Sequence, residues 1–274
     1  MGVLILTDLD GTLLRSDRTV SATTRRVLGD LAERGVRVGF ATARSAERAL
    51  VAVGDLPFSA PCAALNGAVI LEPDGAVRAE HRLDPDLVAD AAALGAELGV
   101  EPFLSGREDG RDVLMHTDRL GPYQRRFLEQ RAGDRRFRRV ATLRPLPSTL
   151  VLSFLVAADE APDLEAALAG RGWSGVTVSA MDDIHLPGGR TLEVRDARAT
   201  KGAALREIRD ALGLPAEATV AFGDQENDAD LLAEAGIAVA VANAHPALRR
   251  VARDVCSSND DDGVARWLAE HFAL

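Results

Sequence analysis

The sequence predicts an α/β fold built on a parallel sheet and interrupted by an α+β insertion. Three observations carry this expectation. Short β-branched runs alternate with helical stretches at the N-terminal end, the same rhythm returns near the C-terminal end, and the middle of the chain breaks it with closely spaced strand-like segments.

The first run, V-L-I-L-T at 3–7, reads as a buried strand, followed by an amphipathic helix at about 21–34 and a second strand, V-R-V-G-F-A-T, at 36–42. Near the other end a helix at 201–212 precedes the strand T-V-A-F-G at 219–223, and a further helix starts at about Asn227. Between them, strands are expected at about 100–104, 112–117, 137–143, 149–157 and 175–180, with helices at about 85–98, 121–132 and 160–170. Gly188-Gly189, between I-H-L-P and R-T-L-E-V, reads as a hairpin turn. Residues 83–195 are therefore taken as an insertion, and 1–82 with 196–274 as one discontinuous core. The basic stretch Arg135, Arg136, Arg138 and Arg139 reads as a solvated face.

Composition narrows the function classes. The 274 residues are 47% hydrophobic and 27% charged, as expected of a folded globular chain, and carry a formal charge of -10. Such a surface repels polyanions, so neither nucleic acid nor an anionic membrane is an expected partner, whereas a small phosphate ester needs only a local positive site. The early apolar run ends at Asp8, too short for a signal peptide or a membrane span, and the expected location is cytoplasmic. Cys62 and Cys256 stand alone and read as buried, inert thiols. No feature specifies an oligomeric state.

The chemistry concentrates at strand ends. T-D-L-D-G-T at 7–12 places Asp8 and Asp10 where the first strand gives way to a turn, and Gly11 permits a tight backbone path there. Read alone, the motif is also compatible with a plain Asp-Gly turn. A second acidic loop, G-D-Q-E-N-D at 223–228, follows another buried strand and brings Asp224 and Asp228 to the same predicted edge, although alone it could be the acidic first turn of a helix. Four converging carboxylates would repel one another, a conflict that Mg²⁺ resolves with few carboxylates, water and phosphate oxygens. Thr42 ends the second strand, where its hydroxyl and the following amide could hold a phosphoryl oxygen, and Lys201 opens a helix, where it could neutralise charge. Either could instead be structural.

In this order, D-L-D-G-T at 8–12, Thr42, Lys201 and G-D-Q-E-N-D at 223–228 resemble the four signatures of the haloacid dehalogenase superfamily phosphatases. The insertion between Asn66-Gly67 and Lys201, with A-T-A-R at 41–44, L-N-G-A at 65–68 and N-D-D-D-G-V at 259–264, is similar to the Cof-type branch. The resemblance implies a Rossmann-like parallel-sheet core with an α+β cap of the C2 type, moving on linkers near 80–84 and 195–200 and setting specificity. It further implies a Mg²⁺-dependent phosphatase acting on a small phosphorylated metabolite such as a sugar phosphate through an aspartyl-phosphate. A phosphomutase or a non-catalytic phosphometabolite-binding regulator are the alternatives. Asp8 would be the nucleophile and Asp10 the general acid and then base, with Thr42 and Lys201 completing the catalytic set. Metal binding would involve Asp8, the Asp10 backbone carbonyl, Asp224 and Asp228. Phosphate and substrate would meet Thr42, Ala43, Arg44, Asn66, Lys201 and Asn227, with Asn243 near the mouth. The branch pattern has glycine where Ala43 stands, a departure bearing on the loop after Thr42.

Overall fold

The computed structural model describes residues 2–182 and 187–274. Its contacts divide the chain into two compact units, 1–79 with 199–274 and 80–198.

The first unit opens with β1 (Leu4–Thr7), α1 (Ala22–Glu33), β2 (Arg37–Phe40) and α2 (Ala46–Val53), followed by β3 (Cys62–Ala64), β4 (Val69–Leu71) and β5 (Val77–Glu80). The second unit contains α3 (Pro85–Glu97), β6 (Phe103–Glu108), β7 (Arg111–His116), α4 (Pro122–Glu129), β8 (Phe137–Arg139), β9 (Ser148–Ala157), α5 (Ala161–Ala169), β10 (Val176–Asp182) and β11 (Gly189–Asp196). The chain then returns to the first unit with α6 (Lys201–Ala211), β12 (Thr219–Gly223), α7 (Ala229–Glu234), β13 (Ile237–Val241), α8 (Pro246–Val251), β14 (Asp254–Cys256) and α9 (Gly263–His271).

The core sheet has the order β14-β13-β12-β1-β2, every neighbouring pair parallel. All four residues of β1 are buried, as a central parallel strand covered on both faces requires. α1 is started by the Ser21 hydroxyl, which accepts from the Thr24 amide at 3.0 Å, and it buries Val27, Leu28 and Leu31 on one stripe. A parallel bridge from Ala41 to Ala63 continues the sheet edge toward β3. Residues 62–80, for which the sequence suggested no strands, form the three-stranded sheet β3-β4-β5. Cys62 and Cys256 are free, and burial pushes both thiols up to about 12.

The second unit is a six-stranded sheet of order β10-β11-β9-β6-β7-β8. One face buries Leu104, Leu152, Phe154, Leu192 and Val194 with Leu87, Val88, Leu94, Leu164 and Leu168 of α3 and α5. On the other, Phe103 and Leu155 pack with Tyr123, Phe127 and Leu128 of α4 and its end. Two expected strands differ for local reasons. At 100–104, Val100 donates its amide to Gly95 at 2.7 Å and closes the end of α3, so pairing begins only at Phe103. At 137–143 pairing stops after Val140 bonds His116, the last residue of β7. Gly189 is already the first residue of β11, pairing with Ala157, so of the expected glycine pair only Gly188, at φ 82°, lies in the turn. Residues 184–186 of that expected hairpin lie outside the described residues. In the arginine stretch, Arg136 pairs with Asp134, Arg138 with Glu108 and Arg139 with Asp118.

The division falls at 79/80 and 198/199, within three residues of the expected 82/83 and 195/196, and the junction residues carry ionic contacts. Glu80 pairs with Arg107, Ser148 donates to Glu80 at 2.7 Å, and Arg198 pairs with Asp196. Among the described residues no helix is long and apolar enough to cross a membrane.

Candidate active site

Register places the acidic motifs. Thr7 pairs with Phe222 on one side and Phe40 on the other, so the chain leaves β1 at Asp8 level with Gly223 and Ala41, one residue before Asp224 and Thr42. Loops beyond the carboxyl ends of parallel strands are where open α/β sheets bind ligands. Gly11 is required twice over: its φ is 77°, and a Cβ there would meet the Asp224 carboxylate at 2.5 Å.

Lys201 lies at the centre of the charged cluster. Its helix is capped by the Thr200 hydroxyl, which accepts from Ala203 at 3.1 Å, and pinned by Asp230, which accepts from the Gly202 amide at 2.9 Å. The side chain is 1% exposed and donates to Asp8 Oδ1 at 2.6 Å and to Asp228 Oδ1 at 2.5 Å. The other oxygen of Asp228 accepts from the amides of Asp224 and Gln225, both at 3.0 Å, which folds the acidic loop around it. Asp224 is held by the Thr12 hydroxyl at 2.9 Å and by the Gln225 side-chain Nε2 at 3.2 Å. Carboxylate oxygens of Asp8, Asp224 and Asp228 lie within 4.8 Å of one another, all buried.

Three carboxylates against one ammonium leave the cluster short of positive charge. Burial pushes the Asp8 carboxyl well above its ordinary range, with Asp228 and Asp224 adding to the rise and Lys201 opposing it. Burial and Asp228 push Asp224 up to about 6. Burial works against the Lys201 ammonium, yet Asp8 and Asp228 outweigh it and hold its pKa above the ordinary lysine value. A hard divalent cation among oxygen donors would relieve this imbalance, so the residues fit one. A stability signature follows. An acid whose folded pKa is raised contributes stability below its unfolded pKa and loses it as pH rises through the folded value. For Asp224 that window runs from 3.8 to about 6. In EDTA the thermal midpoint is therefore expected to fall between pH 5 and pH 7.5 by more than it does in Mg²⁺, and equal slopes in paired melts would refute the cluster's electrostatics.

The remaining predicted residues divide. Thr42 is 1% exposed; its amide donates to Ala63 and its hydroxyl accepts from the Arg44 amide at 3.2 Å. Ala43 is exposed and not among the left-handed residues, so the branch's glycine is not needed here for backbone freedom. Leu65, Asn66 and Gly67 have φ of 49°, 53° and 97°, a strained turn that buries Asn66, whose Oδ1 accepts from Asn227 Nδ2 at 3.4 Å. The Asp10 side chain stays outside the carboxylate triad. Arg44 grips it with Nε at 2.6 Å and a terminal nitrogen at 2.5 Å, and although burial pushes the Asp10 carboxyl up, Arg44's bonds and charge hold it below its ordinary value. Arg44 thus stands on Asp10, where a phosphate contact was expected. Asn243 donates to the Gly11 carbonyl at 2.8 Å and accepts from the Asn259 amide at 3.0 Å, bracing the loop after β1.

Sequence reasoning missed Thr12, Thr200, Gln225, Asp230 and Asn259. Thr12, closing D-G-T, Gln225, inside G-D-Q-E-N-D, and Asn259, inside N-D-D-D-G-V, lay within sequence motifs, and Thr200 stands just before the expected helix start at Lys201; Asp230 acts through a contact with a distant segment and left no signal.

A family profile described as haloacid dehalogenase-like hydrolase matches residues 5–268. The 5-amino-6-(5-phospho-D-ribitylamino)uracil phosphatase YitU of Bacillus subtilis (strain 168) is 29% identical, over 99% of this chain and 98% of its own. A phosphoglycolate phosphatase of Methanopyrus kandleri is 30% identical, over 98% of this chain and 96% of its own. Among solved structures, TM0651 from Thermotoga maritima superposes with a TM-score of 0.77 at 26% identity, covering 98% of this chain and 97% of that one.

Proposed function

The chain belongs to the haloacid dehalogenase-like hydrolases, and on that premise we propose that it is a Mg²⁺-dependent phosphatase that hydrolyses a small phosphorylated metabolite through an aspartyl-phosphate on Asp8. The observation that carries this reading is the buried Asp8–Lys201–Asp228 chain beside Asp224 at the carboxyl edge of the sheet. Two full-length relatives bearing phosphatase names support it.

In the first half-reaction an Asp8 oxygen forms a bond to phosphorus as the ester P–O bond breaks, and Asp10 gives its proton to the departing oxygen. Lys201 occupies Oδ1 of Asp8, which leaves Oδ2 for attack and fixes the carboxylate's orientation. In the second half-reaction water adds to phosphorus, its proton passes to Asp10, and Asp8 is released. Thr42, at the end of its strand, and Lys201 stabilise the equatorial oxygens. Asp8, the Asp10 carbonyl and Asp224 would hold the cation; Asp228, with both oxygens already bonded, sets the loop and Lys201. The bound ion would offset the surplus carboxylate charge and that of the transferring group.

Phosphate release from a panel of phosphorylated metabolites tests the reaction. Release is expected with Mg²⁺, to vanish in EDTA and to return on adding Mg²⁺; full activity in metal-free buffer would exclude the metal role. Asp10→Asn is expected to slow hydrolysis of an unactivated alkyl phosphate by about 10² to 10⁴-fold, since both proton transfers lose their carrier. A loss below tenfold would remove Asp10 from that role.

A further inference from the structure

The grip of Arg44 on Asp10 conflicts with the work proposed for Asp10. A carboxylate with each oxygen on one arm of a guanidinium fork is held in its charged form and in one orientation, so it carries no proton to pass to a leaving group until the fork lets go. We infer that Arg44 is an exchangeable anion arm: in the ligand-free protein Asp10 occupies its fork, and a bound phosphoryl group displaces Asp10 from it. This rests on the phosphatase reading above and adds to it a device that couples ligand arrival to the release of Asp10.

The geometry supports exchange of one partner for another. The backbone of Arg44 is fixed on both sides, its amide on the Thr42 hydroxyl at 3.2 Å and its carbonyl accepting from Leu65 at 2.8 Å, so the side chain alone is free to change partner. The arm follows Thr42, the residue expected to meet the phosphoryl group, by two residues in the chain. Its side chain is 16% exposed while Asp10's is 50% exposed, so solvent reaches the Asp10 side chain more freely than that of Arg44. The charge of Asp8 also reaches Arg44 and, after the Asp10 bonds, helps hold the guanidinium in its charged form. A guanidinium fork matches a pair of phosphoryl oxygens as well as a pair of carboxylate oxygens, so the incoming group satisfies the same two donors that Asp10 gives up. Asp10 leaves the fork with both oxygens available.

The exchange predicts competition between Asp10 and phosphate for one arginine, which a binding cycle reads without turnover. Inorganic phosphate is titrated calorimetrically into Mg²⁺-loaded wild type, Asp10→Ala, Arg44→Met and the double variant, each checked for its fold by circular dichroism. Asp10→Ala is expected to tighten phosphate binding about fivefold, and the same substitution in the Arg44→Met background by less than about twofold. Arg44→Lys, which keeps the charge and loses the fork, is expected to recover less than half of the coupling and provides the arm if Arg44→Met does not fold. Equal tightening in both backgrounds means that removing Asp10 only relieves repulsion, and it overturns the exchange. So does the absence of measurable phosphate binding to Asp10→Ala. Hydrolysis of p-nitrophenyl phosphate by the wild type separates the two readings: turnover without coupling leaves the phosphatase standing and removes the arm, whereas no turnover on any phosphate ester removes the phosphatase.

Discussion

Asp8→Asn is expected to lower turnover by on the order of 10⁴-fold or more while leaving the protein folded. The carboxamide nearly matches the carboxylate in shape, and its oxygen still accepts from Lys201, so the packing at the end of β1 has no reason to change. What disappears is the nucleophile, together with one oxygen ligand for the cation. The stability consequence runs against the usual direction for a buried polar substitution. Asp228 and Asp224 add to the burial that raises the Asp8 carboxyl, and the cluster of three carboxylates holds one lysine, bonded to Asp8 and Asp228. Removing one charge relieves repulsion, so in EDTA at neutral pH the thermal midpoint should be no lower than that of the wild type. The wild type should recover its disadvantage when Mg²⁺ is added, because it alone keeps the full ligand set. Phosphate-release rates and paired melts measure both effects, and retention of more than about a hundredth of the activity would remove Asp8 from the nucleophile's place.

How far this site was legible depended on whether a residue acts through its strand or through its neighbours. Asp8, Thr42 and Asp224 could be placed from the sequence because a short buried run ending in a polar residue fixes both the strand and the edge at which it ends; the register of β1 with β2 and β12 then brings the three to one edge, Thr42 and Asp224 one residue beyond the level of Asp8. Lys201 was legible as a helix start, yet its burial between Asp8 and Asp228 was not, since it depends on Asp230 and Thr200 fixing the first turn of α6. Arg44 shows the limit most clearly. Its position beside Thr42 suggested phosphate, and nothing in A-T-A-R reports that Asp10, on a different loop, fills the fork. The same holds for the fold. The parallel core was readable from hydrophobic runs, whereas β3 to β5 are short and depend on pairing with one another, and the ends of β6 and β8 depend on where the end of α3 and β7 stop. Ionic ties at the junction, such as Glu80 to Arg107, leave no periodic trace.

Lys201→Met should be the most damaging single substitution in both stability and activity. Methionine fills a similar volume, so the loss isolates charge. Asp8 and Asp228 each lose a charged partner, at 2.6 and 2.5 Å, inside a cluster where Asp224 already repels them. Breaking a buried pair by removing one partner typically costs about 3–5 kcal/mol, because the surviving charge stays desolvated and unpaired. For a chain of this size that corresponds to an apparent midpoint lower by on the order of 10 °C in EDTA at neutral pH. The deficit should shrink at pH 5, where the carboxyls that burial has raised are closer to protonation, and in Mg²⁺, which supplies part of the missing charge. Activity should remain depressed even where stability returns, since neither a proton nor the cation reproduces a donor on Oδ1 of Asp8 that leaves Oδ2 free. The double variant Lys201→Met/Asp228→Asn separates the two roles: it should recover much of the midpoint, having removed one unpaired carboxylate, and little of the turnover. A midpoint for Lys201→Met within about 2 °C of the wild type in EDTA would mean that the three carboxylates do not share an uncompensated charge. Recovery of turnover in the double variant would mean that Lys201 serves the reaction only by balancing Asp228.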